Sequence, residues 1–303
     1  MYKDLLKSAT KTALWIIKII IPVSFIVTLL DYYGFIQWLS TYTEPAFQLI
    51  GLRGNAAIVF FSSTMLPLYA PIAIINTLTL SMREVSILAL MCLISHNLPI
   101  ECAVQRRSGT PIWQTAIIRL SFSILGAILL NSILPESLTN ITVHNSTLSS
   151  ESQPTTLNSQ LLSWFNNTLS LCLKIFIIIT ALMLTQSLLK RYGIINKIAR
   201  PLAPLMRLCG LQPSSAFLWL VAQIVGLTYG AGIMAKEIEE SGADREELHR
   251  LNLHISVNHS LIEDTAIFCM LGVAWYFLVI PRLIFAIIIV QTYNLVRRNI
   301  HLT

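Results

Sequence analysis

The chain has 303 residues, of which 54% are hydrophobic and 12% are charged, and its mean hydropathy is +0.67. These values are typical of a polytopic membrane protein and exclude an ordinary soluble domain. The net charge of +6 does not indicate nucleic-acid binding, because the basic residues stand beside apolar segments and not among stacking aromatics. The five cysteines are scattered without CxxC or zinc spacing, so no disulfide framework is predicted.

The N-terminal part of the chain predicts an uncleaved first membrane span. Three lysines precede the apolar run at 13–30, and no small-residue cleavage site follows it. An amphipathic segment with a central proline occupies 35–50. The apolar stretch 55–80 is interrupted by Leu66-Pro67-Leu68-Tyr69-Ala70-Pro71, and this interruption predicts a re-entrant helical hairpin.

The next predicted helix carries the first ionisable residues inside an apolar segment. It begins at the capping-box pattern Ser81-x-x-Glu84, contains His96 and Glu101, and is followed by a last span with Arg119. A stretch rich in Ser, Thr and Asn without Lys or Arg then follows. The sequence therefore predicts a first domain at 1–135 and a polar external linker at 136–160.

The remainder of the chain, 161–303, repeats this order of elements. Gly34 and Gly193 mark matching positions, and the spacing between matched positions becomes slightly longer towards the end of each half. The matching segments are an apolar span at 162–187, an amphipathic segment at 194–209, an interrupted stretch at 214–237 with Tyr229 at its break, and a helix that begins at Asp244-x-x-Glu247. The sequence thus predicts an internal duplication.

The strongest sign of duplication is a matched set of polar residues. Ser95-His96-Asn97-Leu98 corresponds to Asn258-His259-Ser260-Leu261. The separation of His96 from His259 is repeated without change between the acids Glu101 and Asp264 and between the arginines Arg119 and Arg282. Ionisable groups are costly inside a bilayer, so a set of them that occurs twice predicts a functional site.

The distribution of basic residues predicts the topology. With the N-terminus inside and the interrupted stretches as hairpins, inside loops hold 15 Lys or Arg and outside loops hold 2. We therefore expect an all-α polytopic membrane protein with cytoplasmic termini, six spans and two hairpins. Each half crosses the membrane three times, so the second half is predicted to be inverted relative to the first.

Inverted repeats with broken helices are typical of secondary transporters, and they predict a solute site near the bilayer midplane. The predicted solute-binding residues are Tyr69, His96, Asn97, Glu101, Tyr229, Asn258, His259, Glu263 and Asp264. On a continuous helix each acid would lie about 140° around the axis from its histidine, and His259 would share a face with Glu263. Arg119 and Arg282 are predicted counter-ions, and a purely structural lock of each acid by its arginine stays an alternative.

Other chemistries have weaker support in the sequence. The pattern His259-x-x-x-Glu263 has helical metal-ligand spacing, but the first half has Ile100 at the matching position, so no metal site is predicted. A Ser/His/Asp arrangement, a phosphate loop and a dinucleotide fingerprint are all missing from the sequence. We therefore expect no cofactor and no enzymatic activity.

The proline-broken segment through Tyr69, the segment 95–101 and the segment 257–264 together resemble the nucleoside-recognition or Gate-domain family. The resemblance covers 10–135 and 160–298. Similar gate domains occur in spore maturation proteins A and B, in ferrous-iron permeases and in concentrative nucleoside transporters. The resemblance implies a bacterial inner-membrane protein with paired gates. The GTPase loop GxxxxGK[ST] of the iron permeases is missing from this sequence.

The main functional hypothesis is a permease for a polar or anionic small solute, which works by alternating access between the two repeats. The rivals are an envelope scaffold protein, in which the polar residues are structural locks, and a divalent-metal permease. The expected partners are a polar solute or ion and the lipid bilayer, without nucleic acid. The sequence leaves a homo-oligomer open.

Overall fold

The computed structural model describes residues 2–142, 156–224, 226–227 and 244–300. The first half of this part consists of seven helices: α1 Tyr2–Tyr32, α2 Phe35–Gln48, α3 Ala56–Met65, α4 Tyr69–Ile75, α5 Met82–Ser95, α6 Leu98–Arg107 and α7 Ile112–Ile133. The second half consists of α8 Leu157–Arg191, α9 Ile194–Met206, α10 Ala216–Ile224, α11 Arg245–Val257, α12 Glu263–Cys269 and α13 Trp275–Ile300. Across the described ranges there is no strand, and the expected all-α fold is confirmed.

In the part of the chain that the structure describes, five helical segments are long and apolar enough to span a membrane. They are Thr10–Tyr32, Met82–Arg107, Ile112–Ile133, Leu157–Leu189 and Trp275–Asn299. The sequence predicted six spans. Met82–Arg107 contains α5 and α6 with only His96 and Asn97 between them, whereas its counterpart in the second half is interrupted over 258–262, between α11 and α12, and neither of these two helices alone is long enough to cross a bilayer.

The predicted local elements of the first half are present. Helix α3 ends at Met65 and α4 begins at Tyr69, so the chain is interrupted at Leu66-Pro67-Leu68 as expected. The capping box is formed, because the Ser81 hydroxyl accepts from the Glu84 backbone N–H while the Glu84 side chain accepts from Ser81.

The capping box predicted for the second half is wrong. The Asp244 side chain accepts from the backbone N–H of Glu246. The Glu247 carboxylate instead accepts hydrogen bonds from the Gln212 backbone N–H at 2.7 Å and from the Ser215 hydroxyl. Glu247 therefore ties α11 to the residues that precede α10, rather than closing its own first turn.

The core lies around α5, in which every residue from Glu84 to Ser95 is buried. Helix α5 packs against α7, α3, α11, α12 and α13, so it contacts elements of both halves. The two long helices α1 and α8 pack against each other. Helix α5 is therefore the element that places residues of the first half beside residues of the second.

Backbone conformations recur at matched positions in the two halves. Left-handed glycines occur as the pairs Gly34 and Gly193, Gly51 and Gly210, and Gly109 and Gly272, with φ between 61° and 101°. Gly51 and Gly210 each lie beside an asparagine of the last helix in their own half, Asn131 and Asn294. These features match the predicted duplication in local geometry, whereas the inverted orientation of the halves stays a prediction.

The contact between Gly51 and Asn131 gives a test of this packing. We expect Gly51→Ala to lower the melting temperature in detergent more than Gly34→Ala does. Both glycines have positive φ, 76° and 77°, so both substitutions carry the left-handed backbone cost of roughly 1–2 kcal/mol. A Cβ at Gly34 meets open space, but at Gly51 it would overlap the Asn131 side chain, which Arg83 holds at 2.7 Å. Equal losses at the two positions would contradict the close approach.

Candidate functional site

The first histidine lies at a break in the membrane-spanning segment that contains α5 and α6. Helix α5 ends at Ser95, His96 is extended, and Asn97 adopts a left-handed conformation with φ 50° before α6 begins. Pro99 stands in the first turn of α6, where proline is tolerated because its missing N–H would have no helical acceptor. The sequence placed His96 near the middle of a continuous helix, and this prediction is wrong.

The second histidine lies at an equivalent break. Helix α11 ends at Val257, α12 begins at Glu263, and Ser260 between them has φ 47°. His259 and Glu263 therefore do not share a helical face, because the helix is interrupted between them. The predicted angle of about 140° between each histidine and its acid is therefore wrong in both halves, because each helix is interrupted between the two residues.

At each break, one backbone hydrogen bond joins the interrupted segment to the neighbouring short helix. The Asn97 N–H donates to the Ser63 carbonyl of α3 at 2.8 Å, and the Ser260 N–H donates to the Ala222 carbonyl of α10 at 3.1 Å. Nδ1 of His96 lies 2.9 Å from the Cys92 carbonyl. Nδ1 of His259 makes the same contact with the carbonyl four residues earlier, at 3.0 Å. In each ring Nδ1 is thus the nitrogen that donates to the carbonyl, and Nε2 is the nitrogen that faces the centre.

The two histidines meet in the protein interior beside Glu101. Their ring centroids lie 5.3 Å apart. Nε2 of His96 lies 3.0 Å from one carboxylate oxygen of Glu101, and Nε2 of His259 lies 3.3 Å from the other. All three side chains are at most 7% exposed, so one carboxylate of the first half contacts the imidazoles of both halves away from bulk solvent.

Arg119 completes the contacts of Glu101. Its Nη1 lies 2.6 Å from Glu101 Oε2, and the side chain is fully buried. Its other nitrogens donate to the carbonyls of Ile94 at 2.6 Å and His96 at 2.8 Å. The predicted pairing of Glu101 with Arg119 is therefore present in the structure, together with a capping role that the sequence did not predict.

Arg282 caps the second break but does not copy the ion pair. It donates to the His259 carbonyl at 3.2 Å, as Arg119 does to His96, and to the Leu278 carbonyl at 2.9 Å. Its Nη2 donates to the Thr265 hydroxyl. Among the described residues it makes no ion pair with Asp264, so the predicted second acid–arginine lock is not formed here.

The remaining predicted residues surround this centre unevenly. Asp264 Oδ2 lies 3.8 Å from His96 Nε2. The Glu263 carboxylate accepts from Gln186 of α8 at 2.9 Å and lies against Tyr69 at the start of α4. The predicted residue Tyr229 lies outside the described residues.

Two further predicted residues carry buried atoms without partners. Among the described residues, Asn97 Oδ1 and both amide atoms of Asn258 lack hydrogen bonds.

The sequence did not predict Thr265 and Gln186 as partners of the site. Thr265 corresponds to Cys102 in the first half, so the repeat alignment gave no signal for it.

Within the described ranges, one group of side chains has the spacing of a metal site. The ligand atoms of His96, Glu101 and His259 lie within 4.8 Å of one another and are all buried. This group differs from the His259-x-x-x-Glu263 pattern of the sequence. Arg119 Nη1 at 2.6 Å from Glu101 already neutralises the one carboxylate of the group, which disfavours a second cation there.

A separate cavity of about 490 Å³ lies beside α2 and the end of α4. It is lined mostly by polar side chains, among them Asp31, Glu44, Arg53 and Thr77. The Gly54 backbone N–H, together with the Gln48 amide, lowers the pKa of Glu44 below its usual range. The Arg53 guanidinium is engaged by Glu84 at 2.7 Å. The cavity is therefore polar, with two carboxylates in its lining, and it is distinct from the histidine centre.

Comparison with known proteins gives two matches. The family model Gate, described as nucleoside recognition, matches residues 13–103, which include the first break with His96 and Glu101. The uncharacterized membrane protein YvoD of Bacillus subtilis is 30% identical over 272 residues, which cover 90% of this chain and 87% of that protein. No solved structure matches the chain.

The unequal use of the two arginines predicts unequal effects of neutralising the two acids. We expect Glu101→Gln to destabilise the protein by roughly 3–5 kcal/mol, because it leaves the buried Arg119 guanidinium without its counter-charge. Asp264→Asn should lower the melting temperature less, since Arg282 is satisfied by carbonyls and Thr265. The measurement is the melting temperature of both purified variants in one detergent. Equal decreases in melting temperature would contradict the prediction, because they would show that the two acids contribute equally to stability.

Proposed function

The chain belongs to the Gate, or nucleoside-recognition, family of membrane proteins, and from this premise we propose that it is a permease for a polar or anionic small solute. The family prediction made from the sequence is confirmed. The observation that supports this proposal most strongly is that the histidines of both halves meet at one buried carboxylate, that of Glu101. Polar groups that converge inside a membrane protein, at helix breaks, are the usual setting of a transported solute.

In this proposal the two halves, 1–135 and 161–303, act as gates on either side of the histidine pair. Glu101 contacts His96 of its own half and His259 of the other half, so a movement of one half changes the contacts of the other. Such a shared contact supports alternating access between two arrangements. The positive-inside bias of the loops supports cytoplasmic termini, and the family supports the bacterial inner membrane.

The chemistry of the centre supports a solute that makes hydrogen bonds or carries negative charge. Among the described residues, His259 Nε2 and the buried amide oxygen of Asn97 have no hydrogen-bond partner and can serve a solute. Arg119 and Arg282 are fully buried positive groups close to the centre. Binding and release need no covalent step, so the proposal includes no enzymatic reaction.

A divalent-metal permease is the second candidate, and the grouping of His96, Glu101 and His259 favours it. The ligand set contains one carboxylate, which is shared with Arg119 at 2.6 Å. A cation at this place would have to displace the guanidinium or sit beside it, at a cost in free energy. The solute permease is therefore the better supported reading.

Uptake into proteoliposomes tests the main proposal. A panel of radiolabelled polar metabolites would be screened with the wild-type protein, and we expect uptake of at least one class of solute. His96→Ala and His259→Ala should each reduce that uptake about tenfold, the size expected for one lost hydrogen bond to the solute. His249→Ala is the matched control, because His249 lies on α11 away from the centre and contacts Thr110. Failure of every solute with folded protein would refute the permease and favour the scaffold rival, and full uptake by both histidine variants would show that the histidine pair is not the solute site.

Thermal stability in the presence of metals separates the two permease candidates. Because Arg119 engages Glu101, we expect Mn²⁺ and Zn²⁺ to leave the melting temperature of the wild-type protein unchanged. The metal permease instead requires a metal-dependent increase that is lost in His259→Ala and kept in His249→Ala. That pattern would overturn the preference for an organic solute.

A further inference from the structure

The packing of α10 against α11 contains a ladder of polar contacts. The Ser215 hydroxyl, which directly precedes α10, donates to the Glu247 carboxylate. One turn further along, Trp219 Nε1 donates to His254 Nδ1 at 3.2 Å. At the next turn, Gln223 Nε2 donates to the Asn258 carbonyl at 2.6 Å, directly before His259. These contacts form a seam between α10 and α11 that ends at the histidine centre.

Several polar atoms of this seam are buried without a partner. His254 and Asn258 are 0% exposed and Gln223 is 2% exposed. Among the described residues, Gln223 Oε1, His254 Nε2 and both amide atoms of Asn258 have no hydrogen-bond partner. Since Nδ1 of His254 accepts from Trp219, its neutral ring carries the proton on Nε2, which is therefore a free donor.

At the matched positions of the first half, the side chains are either apolar or have hydrogen-bonded hydroxyls. The positions that match Trp219 and His254 are Phe60 and Met91, which are apolar, buried and part of the hydrophobic core. The positions that match Gln223 and Asn258 are Thr64 and Ser95. Their hydroxyls donate to carbonyls of their own helices, at 2.8 Å in each case.

A comparison of the halves therefore isolates a difference at these four pairs of matched positions. The backbone docking at the break is common to both halves, and the first half has the Ser63 hydroxyl and Asn97 Oδ1 without partners there, but at the compared positions only the second half has buried donors and acceptors without partners. Buried donors and acceptors without partners are rare, because leaving them unpaired opposes folding, and they usually indicate water or a ligand. In a membrane protein, polar groups of this kind line a hydrated cavity.

We propose that the seam between α10 and α11 is a water-accessible route to His259, and that it admits neutral hydrogen-bonding solutes. Its free atoms at Gln223, His254 and Asn258 are amide and imidazole groups that offer both donors and acceptors. Neutral groups of both kinds suit a neutral polar molecule better than an anion. Access to water is independent of the proposed permease function, whereas the role as a solute route rests on it.

Cysteine labelling tests the access of water. Gln223→Cys and Asn258→Cys would be compared with their matched controls in the first half, Thr64→Cys and Ser95→Cys. All four proteins would be reconstituted in lipid and treated with a water-soluble methanethiosulfonate, and the labelling rate at each site would be read by peptide mass spectrometry. We expect the two second-half sites to react about tenfold faster, because thiol reactivity follows exposure to water. Equal or slower rates would overturn the proposal, and native Cys92, fully buried in α5, reports loss of folding.

Hydrogen–deuterium exchange of the wild-type protein in nanodiscs gives a second measurement that needs no variant. Peptides that cover 251–258 should exchange faster than peptides that cover the matched residues 88–95. Slower or equal exchange would contradict the proposal. The two proposals fail separately, because labelling requires no solute: fast labelling without uptake refutes the permease alone, and uptake without labelling refutes the route.

A final comparison tests the route as a path for solute. Replacing seam residues by their first-half counterparts, as in His254→Met and Gln223→Thr, should reduce uptake of an accepted neutral solute about tenfold, the effect of one lost hydrogen bond. Met91→Leu in α5 is the matched control and should retain uptake. Unchanged uptake in both seam variants would overturn the role of the seam in transport.

Discussion

The interior of this protein depends on two buried arginines that satisfy the ends of broken helices. A helix that stops inside a membrane leaves carbonyl oxygens without helical donors, and lipid cannot supply them. Arg119 donates to the carbonyls of Ile94 and His96, and at the same time it faces Glu101 in the first turn of α6. One guanidinium therefore stabilises the end of one helix and the start of the next.

These arginines also fix the breaks to the last span of each half. Arg119 belongs to α7 and Arg282 belongs to α13, and each reaches the histidine carbonyl of its own half. Helices α7 and α13 contact each other, with the rings of Phe122 and Phe285 5.2 Å apart. The two breaks are thus anchored to a common pair of helices, which explains how two histidines from opposite halves of the sequence come to lie side by side.

The sequence predicted those features that depend on local residue patterns. Pro67 lies in the interruption of the first hairpin, Pro71 lies in the first turn of α4, and Ser81 with Glu84 begins α5 as expected. The first break is followed by Pro99, but the second break was not predictable in this way, because the residues 257–262 contain neither proline nor glycine. The second break is held by tertiary contacts, namely the hydrogen bond from Ser260 to Ala222 and the cap by Arg282.

The unequal roles of the two acids were also beyond the sequence, since Glu101 and Asp264 have the same spacing from their histidines and arginines. Their side chains compete for one space, because both carboxylates approach His96 Nε2, at 3.0 and 3.8 Å. Two carboxylates so close to one imidazole repel each other, so both cannot hold the same position. Glu101 has one methylene more than Asp264, and its carboxylate lies between the two imidazoles while it also faces Arg119. A repeated motif at a shared centre must therefore become asymmetric in any single arrangement of the chain, even where its two copies have the same spacing.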